Sequence, residues 1–302
     1  MVKARKYVVK KYFEGLPKRS DYEIVEEELP PLKDGELLVK SEWLGVDPYF
    51  RAYNKFFPVP YDQFGYQIVS MENPIEVTWK VPDLGDLSPA VAIGVAGATG
   101  ISAYFGFLEI CKPIAGETVV VTGAAGAVGS VVGQIAKIKG CHVIGFAGSY
   151  EKVKWLEEDL GFDKAFNYKT VDVAKVLREA APSGIDCFFD NVGGDLSNII
   201  MSQMNKFGRI SICGYISSYN DEHLPKVTIF QPLMVLKQLK AEGFIVRRWI
   251  DRWPEAIEQL VSWLKNGQIK SREHVTYGFD NVIDAFVGML KGENYGKAVV
   301  KI

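Results

Sequence analysis

The chain has 302 residues, with 35 Lys+Arg against 37 Asp+Glu and 48 % apolar residues, the composition of an ordinary globular protein. Its length exceeds the size at which one core usually stops growing, so two domains are expected. The formal charge of −2 offers no general attraction to nucleic acid, and the longest apolar runs, such as 118–121 and 298–300, are far too short to span a bilayer.

The opening Met-Val-Lys-Ala-Arg-Lys meets charge at once and lacks the apolar core of a secretory signal. Strand signals follow at 6–9 and 36–43, punctuated by Pro30-Pro31 and Asp34-Gly35. Pro48 keeps Asp47 out of the helical region, so 46–49 reads as an extended turn. The proline- and aromatic-rich stretch 56–86 reads as irregular loops and short strands. Near Gly97 the pattern changes. A helix over 99–109 precedes a β-branched strand at 118–122, a glycine-rich turn and an apolar helix over 128–139. Strands at 141–146, 165–168, 186–191 and 208–213 then alternate with helices over 151–160, 171–181, 197–204 and 231–240. That alternation implies a parallel, doubly wound sheet covered on both faces. An amphipathic helix over 254–266 stops at Gly267, and the tail reads strand–helix–strand over 273–278, 281–291 and 297–302.

Cys111, Cys141, Cys187 and Cys213 are widely spaced and form neither a disulfide framework nor a Cys-x-x-Cys pair, so they read as reduced thiols of a cytoplasmic protein. His142, His223 and His274 are not spaced with one another or with a cysteine as ligand pairs, so no metal is expected.

The sharpest signal is Gly123-Ala-Ala-Gly126-Ala-Val-Gly129 between a strand and a helix. Gly123 permits a tight exit from the strand. Gly126 lets backbone approach a pyrophosphate at the helix N-terminus, and Gly129 lets the helix pack close to the sheet. A site for NAD wants an acid at the end of the second strand, to accept from the ribose 2′-hydroxyl. Here the strand runs out into Ala147-Gly148-Ser149, and Lys152 follows on the next helix, which suits the 2′-phosphate of NADP(H). The later strand tips, 190–194 and 213–220, should face the nicotinamide. There Gly193, Gly194 and Gly214 leave room, Asn191 can bond an amide or ribose, and Tyr219 offers a hydroxyl or, equally, a packing ring.

These motifs, with Gly45-Val-Asp-Pro-Tyr49, Ala103-Tyr-Phe-Gly106, the run 124–137, Phe166-Asn-Tyr-Lys169, Phe189-Asp-Asn-Val-Gly-Gly194 and Gly288-Met-Leu-Lys-Gly292, make the chain resemble the zinc-independent medium-chain dehydrogenase/reductases. Within them it is similar to the prostaglandin reductase branch, from residue 48 onward. The resemblance implies an α/β protein: a Rossmann doubly wound parallel sheet over 99–266, with a GroES-like, mostly β catalytic domain over 1–98 and 267–302. It implies NADPH-dependent reduction of the C=C bond of α,β-unsaturated ketones and aldehydes. It carries cofactor contacts onto Gly126, Ala127, Val128, Gly129, Lys152, Tyr168, Asn191, Cys213, Gly214, Tyr215, Ile216, Ser217, Ser218, Tyr219, Phe244, Ile245, Val246 and Asn294, and a substrate contact onto Tyr49.

The chain departs from the branch in places. The segment 58–98 is shorter than usual, Phe50 stands where methionine is usual, and Tyr215 where a small residue is usual. In the expected chemistry, hydride reaches the β-carbon of an enone, and Tyr219 or the ribose 2′-hydroxyl holds the enolate oxygen. Two other readings stay open: a zinc-free NADPH quinone reductase, and a non-catalytic NADPH-binding protein. Relatives of this kind pair through the edge of the Rossmann sheet. The run 227–239 is then either an interface element of a homodimer or a buried helix.

Overall fold

The computed structural model describes residues 2–10, 13–51, 63–64, 66–70, 81–221 and 230–302. The expectations for 56–62, 65, 71–80 and 227–229 lie outside them. By contacts the chain divides into two units: Met1–Leu84, His274–Asn294 and Ala298–Ile302 form one, Gly85–Glu273 and Tyr295–Lys297 the other.

In the first unit, the charged, β-branched segments Lys3–Val9 (β1) and Tyr22–Glu28 (β2) pair antiparallel, with Lys3 opposite Glu28 and Lys6 opposite Val25. The cross-strand ion pair Lys6–Glu27, at 2.8 Å, follows that register. The stretch 36–43, expected as one strand, is two. Glu36–Lys40 (β3) pairs antiparallel with Tyr66–Ser70 (β6), whereas Trp43–Gly45 (β4) joins a different sheet. Between β3 and β6 in the chain, Gln63–Phe64 (β5) adds to the free edge of β1. No glycine or proline interrupts 36–44. Only the choice of partner strands divides it.

The second unit carries a six-stranded sheet. Thr118–Thr122 (β7), His142–Ala147 (β8), Lys164–Asn167 (β9), Ile185–Asp190 (β10), Met204–Ile212 (β11) and Lys240–Gly243 (β12) lie in the order β12-β11-β10-β7-β8-β9. Every recorded pairing in it is parallel. All five residues of β7, Thr-Val-Val-Val-Thr, are buried, as a central strand covered on both faces requires. The helices are Ala98–Phe105 (α1), Gly129–Ile138 (α2), Tyr150–Lys154 (α3), Val173–Ala180 (α4), Gly194–Ser202 (α5), Gln231–Lys237 (α6) and Trp253–Lys265 (α7). α1 and α3 each widen into a π-helical continuation, Gly106–Cys111 and Trp155–Asp159. Val120, Ile144, Phe146, Leu177, Phe188, Ile200 and Ile210 form a buried cluster between the sheet and α4 and α5. β12, of sequence Lys-Ala-Glu-Gly, carries almost no strand signal; the helix expected over 231–240 ends at Lys237, and the neighbouring β11 draws 240–243 into the sheet.

The chain then returns to the first unit. Glu273–Tyr277 (β13), Val282–Leu290 (α8) and Lys297–Lys301 (β14) follow, and the sheet order there is β13-β14-β4. Tyr7, Tyr22, Val46, Phe279, Ile283, Phe286 and Val300 make that unit's core. Tyr7 stacks on Phe279 with ring centroids 5.1 Å apart. No helix among the described residues is long and apolar enough to cross a membrane.

Candidate active site

The carboxyl ends of β7, β8, β10, β11 and β12 supply the loops at which open α/β sheets take their ligands. The chain leaves β7 through Gly123, whose φ of +58° suits glycine alone. A Cβ on Gly129 would stand 2.4 Å from the Gly123 carbonyl oxygen. The third glycine therefore closes the turn on itself. The same Cβ would also stand 2.8 Å from Ala124 Cα, so the start of the helix packs on the backbone leaving β7, while at Gly133 and Gly145 the Phe162 ring occupies the space a side chain would need. A Cβ on Gly126 would meet only the Gly123 carbonyl oxygen within 4 Å, at 3.2 Å, so the outer side of the turn is a cradle open to a ligand. Val128, at the N-cap of α2, supplies no side-chain cap. The first N–H groups of α2 thus suit an anion at Gly126, Ala127, Val128 and Gly129.

β8 ends on Ala147, and Gly148 and Ser149 lead into α3. The Ser149 hydroxyl oxygen accepts from the Lys152 N–H at 3.3 Å, which orients the first turn. The Glu151 carboxylate is turned back onto its own backbone and the Ser149 hydroxyl. Lys152 is held below the usual lysine range, first by burial and then by the charge of Lys169. The Lys169 ammonium would lie 3.5 Å from a Cβ on Gly148, with the Tyr168 ring equally close. Lys152, Tyr168 and Lys169 therefore gather at the end of the second strand. Two ammonium groups brought together at a cost in desolvation and repulsion fit a dianionic 2′-phosphate. Sequence reading named Lys152 and Tyr168 but missed Lys169, whose signal was its place directly after the third strand.

The tips of β7 and β10 are locked together by the buried Asp190. Its Oδ1 accepts from Thr122 Oγ1 at 2.8 Å and from the N–H groups of Val192 and Gly193 at 3.0 Å. Asn191 donates Nδ2–H to the Thr122 carbonyl at 2.7 Å. Its amide nitrogen thus serves the scaffold, and its side-chain oxygen is what it offers a ligand. Thr122 and Asp190 were not singled out in the sequence; their role appears only once the two strand ends are neighbours.

The segment from Cys213 to Tyr219 leans on this frame. Cys213 and Gly214 donate to the Asp190 carbonyl at 2.8 and 3.2 Å, Ile216 to Asn191 at 3.3 Å and Ser217 to Val192 at 3.1 Å. Ser218 Oγ donates to the Tyr215 carbonyl at 3.2 Å. Tyr215 is 42 % exposed, and Tyr219, at 7 %, meets it edge-on with centroids 4.8 Å apart. A Cβ on Gly214 would press on the Tyr219 hydroxyl at 3.1 Å, so that glycine makes room for the phenol. Burial and Asp190 push the Cys213 thiol up to about 12. Phe244, Ile245 and Val246 follow β12. The Phe244 ring fills the space left by Gly106, while Ile245 is well exposed. Tyr49, packed on Phe50 at 4.4 Å, and Asn294 belong to the other unit.

A family model described as zinc-binding dehydrogenase matches residues 127–262, and one described as N-terminal domain of oxidoreductase matches residues 5–67. Bovine prostaglandin reductase 1 is 46 % identical over 331 aligned positions that cover 100 % of both chains. The 2-alkenal reductase (NADP(+)-dependent) of Nicotiana tabacum is 34 % identical, covering 100 % of this chain and 98 % of its own. The solved structure of CurA in complex with NADPH from Vibrio vulnificus is 33 % identical, with a TM-score of 0.88 over 98 % of each chain. Identity at that level over the whole length, on a Rossmann-like sheet with a separate β unit, means that the chain belongs to the prostaglandin reductase family of medium-chain dehydrogenases/reductases.

Proposed function

We propose that this protein is an oxidoreductase that uses NADP(H) to reduce the C=C bond of α,β-unsaturated ketones and aldehydes. The observation that carries the reading is the full-length likeness to a prostaglandin reductase and to a 2-alkenal reductase. The paired lysines at the end of β8 support the phosphorylated cofactor. NADPH, when bound, supplies the hydride.

The chain's own residues do the rest. Gly126 to Gly129 and the N-terminus of α2 take the pyrophosphate, and Lys152, Tyr168 and Lys169 take the 2′-phosphate. Asn191, the segment from Cys213 to Tyr219, Phe244 to Val246 and Asn294 hold the rest of the cofactor, and Tyr49 meets the substrate. Tyr219 donates a hydrogen bond to the carbonyl oxygen as charge develops there after hydride reaches the β-carbon, and a proton from solvent at the α-carbon completes the saturated product. Only a donor is needed, because charge at that oxygen is already delocalised over the conjugated system.

The protein works as a homodimer paired along the outer edge of β12. Among the described residues no strand pairs with the outer edge of β12, and an open edge favours such pairing; Val235 and Leu236 of α6 are 74 % and 71 % exposed nearby in the chain. Its four described cysteines are free, which supports a reducing, cytoplasmic setting.

The test follows NADPH absorbance with a panel of medium-chain enals, enones, 15-oxo-prostaglandins and quinones. Turnover of enals and enones is expected. Turnover of quinones alone, or NADPH binding without any turnover, overturns the reading.

A further inference from the structure

Tyr295 stands outside the cofactor contacts assigned above, yet the fold brings it to them. Residues Tyr295–Lys297 belong to the nucleotide-binding unit although the residues on either side of them do not. Gly296 donates its N–H to the Ala125 carbonyl at 2.9 Å and forms a parallel bridge with Gly126. This pins the segment to the pyrophosphate turn. Gly296 has φ +59°, and a Cβ there would stand 2.0 Å from the Arg272 carbonyl oxygen, so the tether admits glycine alone.

The residue just before the tether reaches the other end of the cradle. The Lys152 ammonium lies 5.5 Å from the centroid of the Tyr295 ring, and the Arg272 guanidinium 4.5 Å from it. Trp155 meets the same ring edge-on at 6.2 Å, and Arg272 lies 5.7 Å from the Trp155 ring. Lysine is a long side chain with much rotamer freedom to lose. An aromatic face attracts a cation without neutralising it. A carboxylate at that place would hold the lysine too, but it would also repel the phosphate. A ring fixes the ammonium and leaves its charge available.

We propose that Tyr295 is a positioning residue for the 2′-phosphate of the cofactor: its ring holds the Lys152 ammonium in place and couples it, through Gly296, to the turn that takes the pyrophosphate. The proposal rests on the NADP(H) reading above.

The experiment titrates NADPH and NADH, without substrate, into the full chain and into Tyr295→Leu and Tyr295→Phe, by fluorescence. Tyr295→Leu is expected to weaken NADPH about three- to thirtyfold and to leave NADH unchanged. Tyr295→Phe keeps the π face and is expected to retain wild-type affinity for both. In turnover, the leucine variant raises KM for NADPH while kcat holds. Should it not fold, Tyr295→Met fills similar space without a ring and is read the same way. Equal weakening of both cofactors, or a phenylalanine variant as weak as the leucine one, overturns the proposal. So does an unchanged preference in the leucine variant of a wild-type protein that prefers NADPH; there the cofactor reading survives alone. A wild-type protein that binds NADH as tightly as NADPH overturns that reading, and the proposal with it.

Discussion

The proposed part of Lys152 in the choice of cofactor makes a direct demand on binding, and the surroundings of this lysine add a pH dependence to it. Lys152→Ala should weaken NADPH roughly ten- to a hundredfold and spare NADH, since a charge-assisted contact is worth about 1.5–3 kcal/mol. Equal losses measured for the two cofactors would place the effect in folding instead. Burial and Lys169 lower the Lys152 pKa, so the side chain sheds its proton at lower pH than an exposed lysine. NADPH affinity should therefore fall as pH rises through that lowered value, and NADH affinity should not follow. In the free protein the sign is opposite: between the lowered and the ordinary lysine pKa the unfolded chain binds more protons, so this group's contribution to stability rises with pH. Tyr219→Phe removes one hydroxyl from the segment beside Gly214. If Tyr219 is the donor to developing charge, kcat falls by less than the roughly 2.7–4 kcal/mol a sole donor supplies, because a ribose hydroxyl substitutes in part. Weaker NADPH binding at unchanged kcat would instead make Tyr219 a clamp on the cofactor.

The glycine turn shows how one element's function depends on steric room more than on side chains. At Gly129 an added methyl would meet the Gly123 carbonyl oxygen at 2.4 Å and Ala124 Cα at 2.8 Å, both backbone and neither able to swing away. Gly129→Ala should therefore cost about 1–3 kcal/mol, the usual range for overpacking, seen as a lower Tm, and should weaken NADPH and NADH alike. This contrasts with Lys152→Ala, whose effect is confined to one cofactor. A variant with unchanged Tm and unchanged affinities would mean that the turn can open without loss. The strands and helices that the pattern of apolar residues identified are those buried on the sheet, such as β7, β8, β10 and α2. Those it did not find are the polar edge strands β2 and β12, and it ran β3 and β4 together. At an edge, hydrogen bonds to one neighbour suffice without an apolar face.

For the whole molecule, the proposed homodimer makes a direct demand on α6. None of its residues is buried, so it is no buried helix: Leu233 and Met234 pack partly on the core, and Val235 and Leu236 are exposed. Leu236→Lys should shift the protein from dimer toward monomer in sedimentation equilibrium while the fold, judged by Tm, survives. A wild-type protein that sediments as a monomer removes the dimer altogether. Exhaustive chelation should leave turnover intact, since no cysteine and histidine in the sequence share a ligand-pair spacing; a proportional loss restored by zinc would overturn that expectation. The alignment with the bovine relative spans 331 positions against the 302 residues here, so the relative carries sequence this chain lacks. The reduced segment 58–98 noted in the sequence is where a difference in substrate range is best sought, by comparing short and long enals.

By itself the sequence determined the alternating strands and helices, the glycine turn, the absence of an acid at the end of the second strand and the family likeness. All of these are local in the chain, and periodicity, turn chemistry and contiguous motifs record local facts. Tertiary structure alone decided which residues meet. It brought Lys169 to Lys152 from another strand end, set Asp190 to bind β7 to β10, and returned Tyr295 and Gly296 to a turn some 170 residues earlier in the chain. Such pairings depend on strand order and on the path of the returning chain. Neither leaves a pattern in the residues on one side of the contact, because a lysine or tyrosine near a phosphate is chemically the same residue as one in solvent.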